Sequence, residues 1–274
     1  MALLQDKVAI ITGSGRGIGK AIATLFAKEG ASVVINDLDP EPAEATAKEI
    51  KSTGAKAVAC AGSVTDKNFP ERLMNATINE FGKLDILVNN AGYTWDAVIQ
   101  NMTDEQWYAM IDVHATAPFR IIKAATPYMR EAAKKELSEG KKVHRKIVNI
   151  TSIAGVYGNA GQINYSAAKA ALIGITKTMA KEWGRFNINV NVVAYGFVGT
   201  RLTGDKAQNP TIKVEDREIA VGVPKATLDS LKALVPLGRA GTPEEAAGPV
   251  LFLASPLSDY VTGELLICSG GLAF

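Results

Sequence analysis

The chain has 274 residues, 47% of them apolar, and a formal net charge of +2, which suits one α/β domain with a large core. The small net charge argues against nucleic acid as a partner, and two cysteines cannot make a disulfide framework. No apolar run reaches the ~20 residues of a membrane helix, and Asp6 and Lys7 come too early for a secretory signal, so we expect a cytoplasmic protein without a membrane partner.

The first predicted elements are a strand, a glycine-rich turn and a helix. Four consecutive apolar residues at 8–11 predict a buried strand, and the helical segment at 20–30 ends at a glycine. The glycines between them follow the spacing G-x-x-x-G-x-G rather than the common G-x-G-x-x-G. Glycines let the backbone approach a pyrophosphate, and the helix N-terminus offers free N–H groups, so we predict a dinucleotide site; an ordinary tight loop is the alternative. The candidate contacts are Gly13, Arg16, Gly17, Ile18 and Gly19.

The second predicted strand, residues 32–36, ends at Asp37. An acidic residue about 20 residues beyond such a turn accepts hydrogen bonds from the adenosine ribose, and its charge repels the additional phosphate of NADP. Asp37 therefore favours NAD as the cofactor over NADP. Arg16 favours NADP instead, because a cation inside the turn attracts that phosphate. We give Asp37 more weight because its carboxylate occupies the 2′ position directly. A plain turn residue at the end of a strand is the other interpretation of Asp37.

Helices and strands alternate along the rest of the chain. The predictions are a helix at 40–53, a strand at 55–61, a helix at 66–81, a strand at 84–88, a long helix at 104–137 that breaks or turns near Pro118, a strand at 146–151, a helix at 163–186, a strand at 188–193, a helix at 243–254 and a strand at 264–268. Alternation of this kind predicts a doubly wound parallel β-sheet flanked by helices, with ligands beyond the carboxyl ends of the strands. Thr12, Asn89, Ser152 and Gly196 all fall at such ends, which indicates one shared site.

Tyr165 and Lys169 are four residues apart on the predicted helix at 163–186 and therefore share one face. A free phenol has a pKa of about 10. A nearby ammonium favours the phenolate and lowers that pKa, which suits the phenol to exchange a proton with an alcohol or a ketone. Ser152 adds a hydroxyl that can hydrogen-bond the same oxygen. The alternative for the Tyr–Lys pair is an exposed contact that contributes little.

Two segments carry further hypotheses. Residues 136–146 are polar and basic, and they form either a solvated loop or a docking patch for an acidic carrier protein or the phosphates of coenzyme A. Residues 201–235 contain no predicted strand, and we interpret them as a mobile substrate lid, with packing on the body as ordinary core as the alternative. The apolar residues that would serve either purpose are Ile212, Val214, Ile219, Val221, Val223 and Leu228.

These motifs, in this order and separation, resemble those of the short-chain dehydrogenase/reductase family, and within it the 3-oxoacyl-(acyl-carrier-protein) reductase-like group. The likeness covers nearly the whole chain and rests on residues 12–19, on Asn89-Asn90-Ala91-Gly92, and on Ser152, Tyr165 and Lys169. The resemblance implies a single-domain Rossmann fold over residues 1–274. It also implies an NAD(P)-dependent enzyme that transfers a hydride between nicotinamide and a carbonyl or secondary alcohol.

The resemblance also implies a role for each motif. Tyr165 would be the catalytic acid/base, Ser152 would orient the substrate, and Lys169 would lower the pKa of Tyr165 and hold the nicotinamide ribose. No metal is implied. The remaining cofactor contacts would be Ser63, Val64, Asn90, Ala91, Gly92, Gly196, Val198 and Thr200.

Four positions depart from the pattern of the family. His114 replaces an asparagine that holds a water linking the lysine to solvent. An imidazole both donates and accepts hydrogen bonds, so His114 is a catalytic candidate, with a buried structural histidine as the alternative. Ser63 replaces an aspartate that binds the adenine amino group, and a hydroxyl accepts more weakly than a carboxylate. Tyr195 replaces a proline before Gly196, and Ser269 replaces an aspartate.

The leading substrate is a 3-oxoacyl thioester, or the matching 3-hydroxyacyl compound, carried by acyl carrier protein or coenzyme A. One alternative is dehydrogenation of a small secondary alcohol, sugar, polyol or steroid. Another is a nucleotide-binding regulatory protein with a decayed active site, against which the intact Ser152, Tyr165 and Lys169 argue. The resemblance further implies a homo-oligomer, a tetramer or a dimer, that pairs the helices at 104–137 and 163–186 with those of a partner.

Overall fold

The computed structural model describes residues 2–201, 203–204, 207, 211–214, 216–223 and 225–272. The strands among them are β1 (Val8–Ile11), β2 (Ser32–Ile35), β3 (Ala57–Ala59), β4 (Ile86–Asn89), β5 (Arg145–Ser152), β6 (Ile188–Tyr195), β7 (Ile212–Val214), β8 (Arg217–Ile219) and β9 (Leu265–Cys268). Seven of these form one parallel sheet in the order β3-β2-β1-β4-β5-β6-β9. The strand order reverses between β1 and β4, so the predicted doubly wound Rossmann-like sheet is confirmed.

Helices cover both faces of the sheet. They are α1 (Gly17–Lys28), α2 (Pro40–Ser52), α3 (Phe69–Phe81), α4 (Asp104–Ile111), α5 (Ala117–Thr126), α6 (Ala132–Ser138), α7 (Ala154–Tyr157), α8 (Ile163–Trp183), α9 (Lys225–Leu234) and α10 (Pro243–Ala254). Residues of α1, α2 and α10 belong to one core cluster, and residues of α3, α4, α5, α6 and α8 belong to the other.

The central strands are buried on both faces, which explains why they are continuous apolar runs rather than alternating ones. In β1, Ala9 and Ile11 pack into the first core cluster while Ile10 packs into the second. Successive side chains of a strand point to opposite faces, so one run of four apolar residues contributes to both layers. The strand that leads into the glycine-rich turn is therefore fixed from both sides.

The long helix predicted at 104–137 does not break at Pro118. It continues to Ser138, with wide π-helical turns at 112–116 and 127–131. A proline has no N–H to donate to the preceding turn, and a wide turn absorbs the missing hydrogen bond without ending the helix. Pro118 directly follows the first wide turn, and Pro127 opens the second.

The prediction that residues 201–235 contain no strand is wrong. β7 and β8 pair as an antiparallel hairpin, and α9 follows it. The hairpin is stabilised by Ile212, Ile219 and Val221, which pack against Tyr93 and Trp95. Residues 202, 205–206, 208–210, 215 and 224 of the predicted lid lie outside the described residues.

Two cations of the basic segment at 136–146, Arg145 and Lys146, are not part of an open docking patch. Arg145 and Lys146 are buried in β5, where the Arg145 guanidinium pairs with both carboxylate oxygens of Glu136, at 2.6 and 2.9 Å. The Lys146 ammonium lies 2.8 Å from Asp259. Both cations are at the amino end of the strand, away from the carboxyl ends at which ligands bind. The docking hypothesis is therefore wrong for these two residues.

Candidate active site

A cleft of about 1150 Å³ opens beyond the carboxyl ends of the central strands. Motifs that are far apart in the sequence meet on its walls because parallel strands direct their carboxyl ends to the same edge. The candidate residues that line it are Gly13, Arg16, Gly17, Ile18, Gly19, Asp37, Ser63, Val64, Asn90, Ala91, Gly92, His114, Ser152, Tyr165, Lys169, Gly196, Val198 and Thr200. The structure thus brings every sequence-predicted catalytic and cofactor residue to one cleft.

The glycine-rich turn has the shape that a pyrophosphate needs. A Cβ atom on Gly19 would lie 2.1 Å from the carbonyl oxygen of Gly13, so only glycine permits this close approach. Gly17 has a φ of +55° and faces open space. α1 begins at Gly17, and the side chain of its N-cap residue, Arg16, makes no capping hydrogen bond. The first N–H groups of α1 and the positive end of the helix dipole fit a phosphate of a dinucleotide.

Asn90 holds this turn in place through its own hydrogen bonds. Its side-chain amide donates to the carbonyl oxygens of Thr12 and Gly13, at 2.8 and 3.1 Å. In return, the Thr12 hydroxyl accepts from the backbone N–H groups of Asn90 and Ala91, both at 3.0 Å. The segment after β4 and the segment after β1 are therefore one rigid unit.

At the far end of this turn, charged residues surround the position expected for the adenosine ribose. A Cβ atom on Gly15 would lie 2.6 Å from a carboxylate oxygen of Asp37, so the carboxylate lies directly against the turn. Burial raises the pKa of Asp37, against the opposing effects of the Asp39 N–H and the Arg16 guanidinium. Arg16 itself pairs with Asp39 at 2.9 Å.

The predicted adenine side of the cleft is formed by Ser63 and Val64. The Ser63 hydroxyl lies 2.6 Å from the hydroxyl of Thr65 and also accepts from its N–H. Val64 is buried and belongs to the second core cluster. A short Ser–Thr turn thus stands where the family pattern has an aspartate.

At the other end of the cleft, α8 carries Tyr165 and Lys169 on one face, as predicted. The Lys169 ammonium lies 5.7 Å from the centre of the Tyr165 ring and donates to the carbonyl oxygen of Ile150 at 2.8 Å. Ser152 is the last residue of β5 and makes a hydrogen bond to Tyr165. Its hydroxyl also accepts from the N–H of Ala154 at 3.1 Å, which fixes its position.

The pKa of Tyr165 differs from the sequence-based expectation. Burial raises it to about 12, and the hydrogen bond from Ser152 opposes that shift only in part. Burial also lowers the pKa of Lys169 to about 7. The expected net lowering of the Tyr165 pKa by the ammonium is therefore wrong. Desolvation penalises both charges, so the lysine carries little positive charge to offer above neutral pH.

His114 is buried beside Tyr165. Its ring meets that of Tyr165 edge-on, with centroids 5.1 Å apart. Nε2 lies 2.7 Å from the carbonyl oxygen of Tyr93, which can only accept, so Nε2 carries the proton and Nδ1 is an acceptor. Nδ1 is buried and has no hydrogen-bond partner among the described residues. Burial, and then the charge of Lys169, hold the pKa of His114 well below its usual range.

Gly92 has a packing role that the sequence did not reveal. A Cβ atom there would lie 2.0 Å from Cε1 of the His114 imidazole. The position can therefore hold only glycine while the histidine keeps this orientation.

The sequence interpretation missed a polar group beside Tyr165. The Gln162 amide donates to Asp96 at 2.7 Å, and the Asn159 amide donates to Gln162 at 2.9 Å. Burial raises the pKa of Asp96, and a charge on this carboxylate raises that of Tyr165. The sequence held one indication of this polar group, because Gln162 comes three residues before Tyr165, at the start of α8.

Apolar residues of the predicted lid form the opposite wall. Ile212, Val214, Val221 and Val223 line the cleft, whereas Ile219 is buried behind them in the hairpin cluster. Leu228 is half-buried and lies away from the cleft. The structure therefore places most of the predicted apolar set at the site.

Among the described residues, no helix is both long and apolar enough to cross a membrane. The His, Cys, Asp and Glu side chains of these residues form no group of three or more that is arranged to hold a metal ion.

Comparison with known proteins places the chain in a family. A family model described as "short chain dehydrogenase" matches residues 7–211. The chain is 39% identical to the 3-oxoacyl-[acyl-carrier-protein] reductase of Thermotoga maritima, with 98% of each chain covered. It is 42% identical to that of Vibrio cholerae, over 98% of each chain, and 38% identical to that of Synechocystis sp., over 99% of each. The chain belongs to the short-chain dehydrogenase family and is an NAD(P)-dependent oxidoreductase.

Proposed function

We propose that the protein transfers a hydride between NAD(H) and a 3-oxoacyl or 3-hydroxyacyl thioester. One observation carries the proposal: Ser152, Tyr165 and Lys169 stand on the same cleft as the glycine-rich turn. A proton donor, a hydrogen-bond donor and a dinucleotide cradle are thereby within one site. The names of the similar proteins support the thioester class, because all three are 3-oxoacyl-[acyl-carrier-protein] reductases.

In the reductive direction, Tyr165 donates its proton to the carbonyl oxygen of the substrate, and Ser152 stabilises the negative charge that develops on that oxygen. Nicotinamide, when bound, would supply the hydride. The raised pKa of Tyr165 keeps the phenol protonated before the reaction. Lys169, whose pKa is about 7, can return a proton to Tyr165 near neutral pH. The Nδ1 acceptor of His114 would hold a water on the route by which that proton arrives.

The cofactor would lie along the cleft from the adenine side to the nicotinamide side. The N–H groups at the start of α1 would bind the pyrophosphate, and Asp37 would accept from the ribose hydroxyls. Asp37 favours NAD over NADP because its carboxylate lies against the turn, where the additional phosphate would bind. The residues assigned to the nicotinamide side are Lys169, Gly196, Val198 and Thr200.

The walls of the substrate side favour an acyl chain over a sugar or a polyol. The hairpin contributes Ile212 and Val214, the segment after it contributes Val223, and the facing loop contributes Trp95. Asp96 and Gln162 provide one polar position among them. A thioester carried by acyl carrier protein or coenzyme A combines an apolar chain with hydrogen-bonding groups. The chain would fit the apolar walls, and the hydrogen-bonding groups would fit the polar position.

We also propose that residues 201–235 act as a substrate lid within one domain of residues 1–274, and that the protein forms a homodimer or homotetramer. The hairpin of the lid contacts the body through Arg217, which pairs with Glu105 on α4 at 2.8 Å. Exposed apolar side chains on the long helices support the oligomer. Tyr108, Phe119 and Ile163 are 66%, 55% and 44% exposed, respectively.

Replacement of Tyr165 by Phe tests the proposed chemistry. We expect turnover with acetoacetyl-CoA to fall by about two to four orders of magnitude, because the proton donor is removed. The affinity for NADH, measured by isothermal titration, should change little. Tyr128→Phe, which alters a tyrosine of the second core cluster away from the cleft, is the matched control and should keep its turnover. Substantial turnover by Tyr165→Phe would contradict the proposal.

A further inference from the structure

Asp39 forms an ion pair at the predicted ribose position that the sequence interpretation did not single out. Its carboxylate lies 2.9 Å from the guanidinium of Arg16, and the side chains are 51% and 37% exposed, respectively. Asp39 precedes α2 at the N-cap position, but its side chain makes no capping hydrogen bond. Its backbone N–H donates to Asp37 at 3.3 Å. The side chain of Asp39 is therefore directed to Arg16, while its backbone supports Asp37.

Arg16 is the residue of the turn best suited to a 2′-phosphate. A guanidinium binds phosphate through two parallel hydrogen bonds, and Arg16 immediately precedes α1, whose first N–H groups it does not cap with its own side chain. In this structure the guanidinium already has an anionic partner. A 2′-phosphate would have to displace the Asp39 carboxylate and would then lie beside two negative charges, those of Asp37 and Asp39.

A second arginine belongs to the same group of charges. Arg201 lines the cleft, and its electrostatic environment includes Arg16, Asp37 and Asp39. The ribose position thus contains two cations and two carboxylates rather than a single acidic residue. Its balance of charge depends on Asp39 as much as on Asp37.

We propose that Asp39 is a positioning residue for cofactor selection, which holds Arg16 in an ion pair and so withholds it from the 2′-phosphate of NADP. Asp37 repels that phosphate, and Asp39 forms an ion pair with Arg16, the cation that would otherwise attract the phosphate. The inference rests on the proposed use of NAD at this site. It adds that the preference comes from two carboxylates, and that Arg16 becomes a phosphate ligand once Asp39 loses its charge.

The size of the effect follows from the exposure of the pair. An exposed ion pair contributes only modestly to the free energy, so its competition with the phosphate for Arg16 amounts to roughly a factor of a few in affinity. The gain for NADP then comes from the freed guanidinium and from one less negative charge beside the phosphate. We expect Asp39→Asn to bind NADP⁺ about 3- to 10-fold more tightly. The gain should shrink at high ionic strength, because salt screens exposed charges.

Isothermal titration of the full chain with NAD⁺ and with NADP⁺ tests the proposal. Asparagine is as good an N-cap residue as aspartate, so Asp39→Asn should keep the start of α2 intact. The expected result is the gain in NADP⁺ affinity, with a smaller change for NAD⁺. In the double variant with Arg16→Gln the gain should disappear. Glu44→Gln, which removes an exposed carboxylate from the same helix, is the control for net charge and should show no gain.

Two results would overturn the proposal while the proposed function stands. One is intact NAD⁺ binding with an unchanged NADP⁺ affinity in Asp39→Asn. The other is a gain that persists without Arg16, or that Glu44→Gln reproduces, since either would show a general effect of charge. Failure of the unmodified protein to bind either dinucleotide would overturn the proposed function and this inference together.

Discussion

Burial controls the protonation of the side chains around the substrate position. Tyr165, Lys169 and His114 each have a pKa displaced toward the neutral form, and desolvation is the largest cause in all three. A site of neutral groups suits proton transfer to a carbonyl oxygen. The phenol keeps its proton until negative charge develops on that oxygen. In the proposed mechanism, Lys169 would accept and return protons near pH 7.

The lowered pKa of Lys169 predicts a pH-dependent contribution to stability. The pKa is about 7 in the folded protein and 10.5 in an unfolded chain, so between these values only the unfolded state binds the proton. The free energy of unfolding therefore rises with pH across this window, and this contribution is constant below it. Lys169→Met removes the effect. Urea unfolding at pH 6, 7.5 and 9 should show the unmodified protein gaining stability relative to the variant as pH rises.

The control for that experiment is Lys177→Met, which alters an exposed lysine of the same helix. It should shift stability by the same amount at each pH. Parallel curves for Lys169→Met and the unmodified protein would contradict the displaced pKa.

The residues of the site were predictable from the sequence where spacing alone determines geometry. Tyr165 and Lys169 share a helix face however deeply the helix is buried, so their proximity followed from their separation of four residues. The directions of their pKa shifts did not follow, because they depend on how much protein surrounds the cleft. Asp96 and Gln162 meet through a contact between two separate segments, which no local pattern records.

At the scale of elements, the hairpin β7–β8 connects the predicted lid to the substrate wall. Ile219 is 1% exposed and packs with Ile212 and Val221 in a cluster separate from the main core. We expect Ile219→Ala to raise the KM for a long-chain 3-oxoacyl thioester several-fold, because the wall of the cleft loses its support. The midpoint of thermal unfolding should change little, because such a cluster can open locally.

Ile121→Ala in α5 is the matched control for the hairpin variant. Ile121 is equally buried but belongs to the second core cluster, so its truncation should cost about 2–5 kcal/mol of stability. Steady-state kinetics and thermal unfolding of both variants separate the two roles. A large loss of thermal stability in Ile219→Ala, with an unchanged KM, would show that the hairpin is ordinary core.

The boundaries of an element were predictable where a strong local sequence pattern marks them. β1 and α10 have the predicted limits, since an apolar run bounded by a glycine turn and a helix that follows a Thr-Pro start are strong local patterns. The three-residue strands of the hairpin were missed because they are too short to show an alternation. The helix at 104–138 was expected to turn at Pro118, and only the wide turns explain how it continues.

At the scale of the whole molecule, the reversal of strand order between β1 and β4 creates the site. The glycine-rich turn follows β1, and Ser152 ends β5, so the topology alone brings this turn and the Ser152 hydroxyl to one edge of the sheet. Alternating βα units were sufficient to predict this arrangement. The opposite edge holds the ion pairs of the buried Arg145 and Lys146. Glu136 lies only 9 residues before Arg145, whereas Asp259 lies 113 residues after Lys146, and sequence patterns identified neither pairing.

The most direct test of the proposed activity is steady-state oxidation of NADH and of NADPH, measured in parallel with acetoacetyl-CoA as the acceptor. The proposed chemistry predicts turnover that depends on the thioester, and the carboxylates Asp37 and Asp39 predict that NADH is the better donor. Absence of turnover with either donor, alongside activity on a sugar, a polyol or a steroid, would contradict the assignment of a 3-oxoacyl thioester.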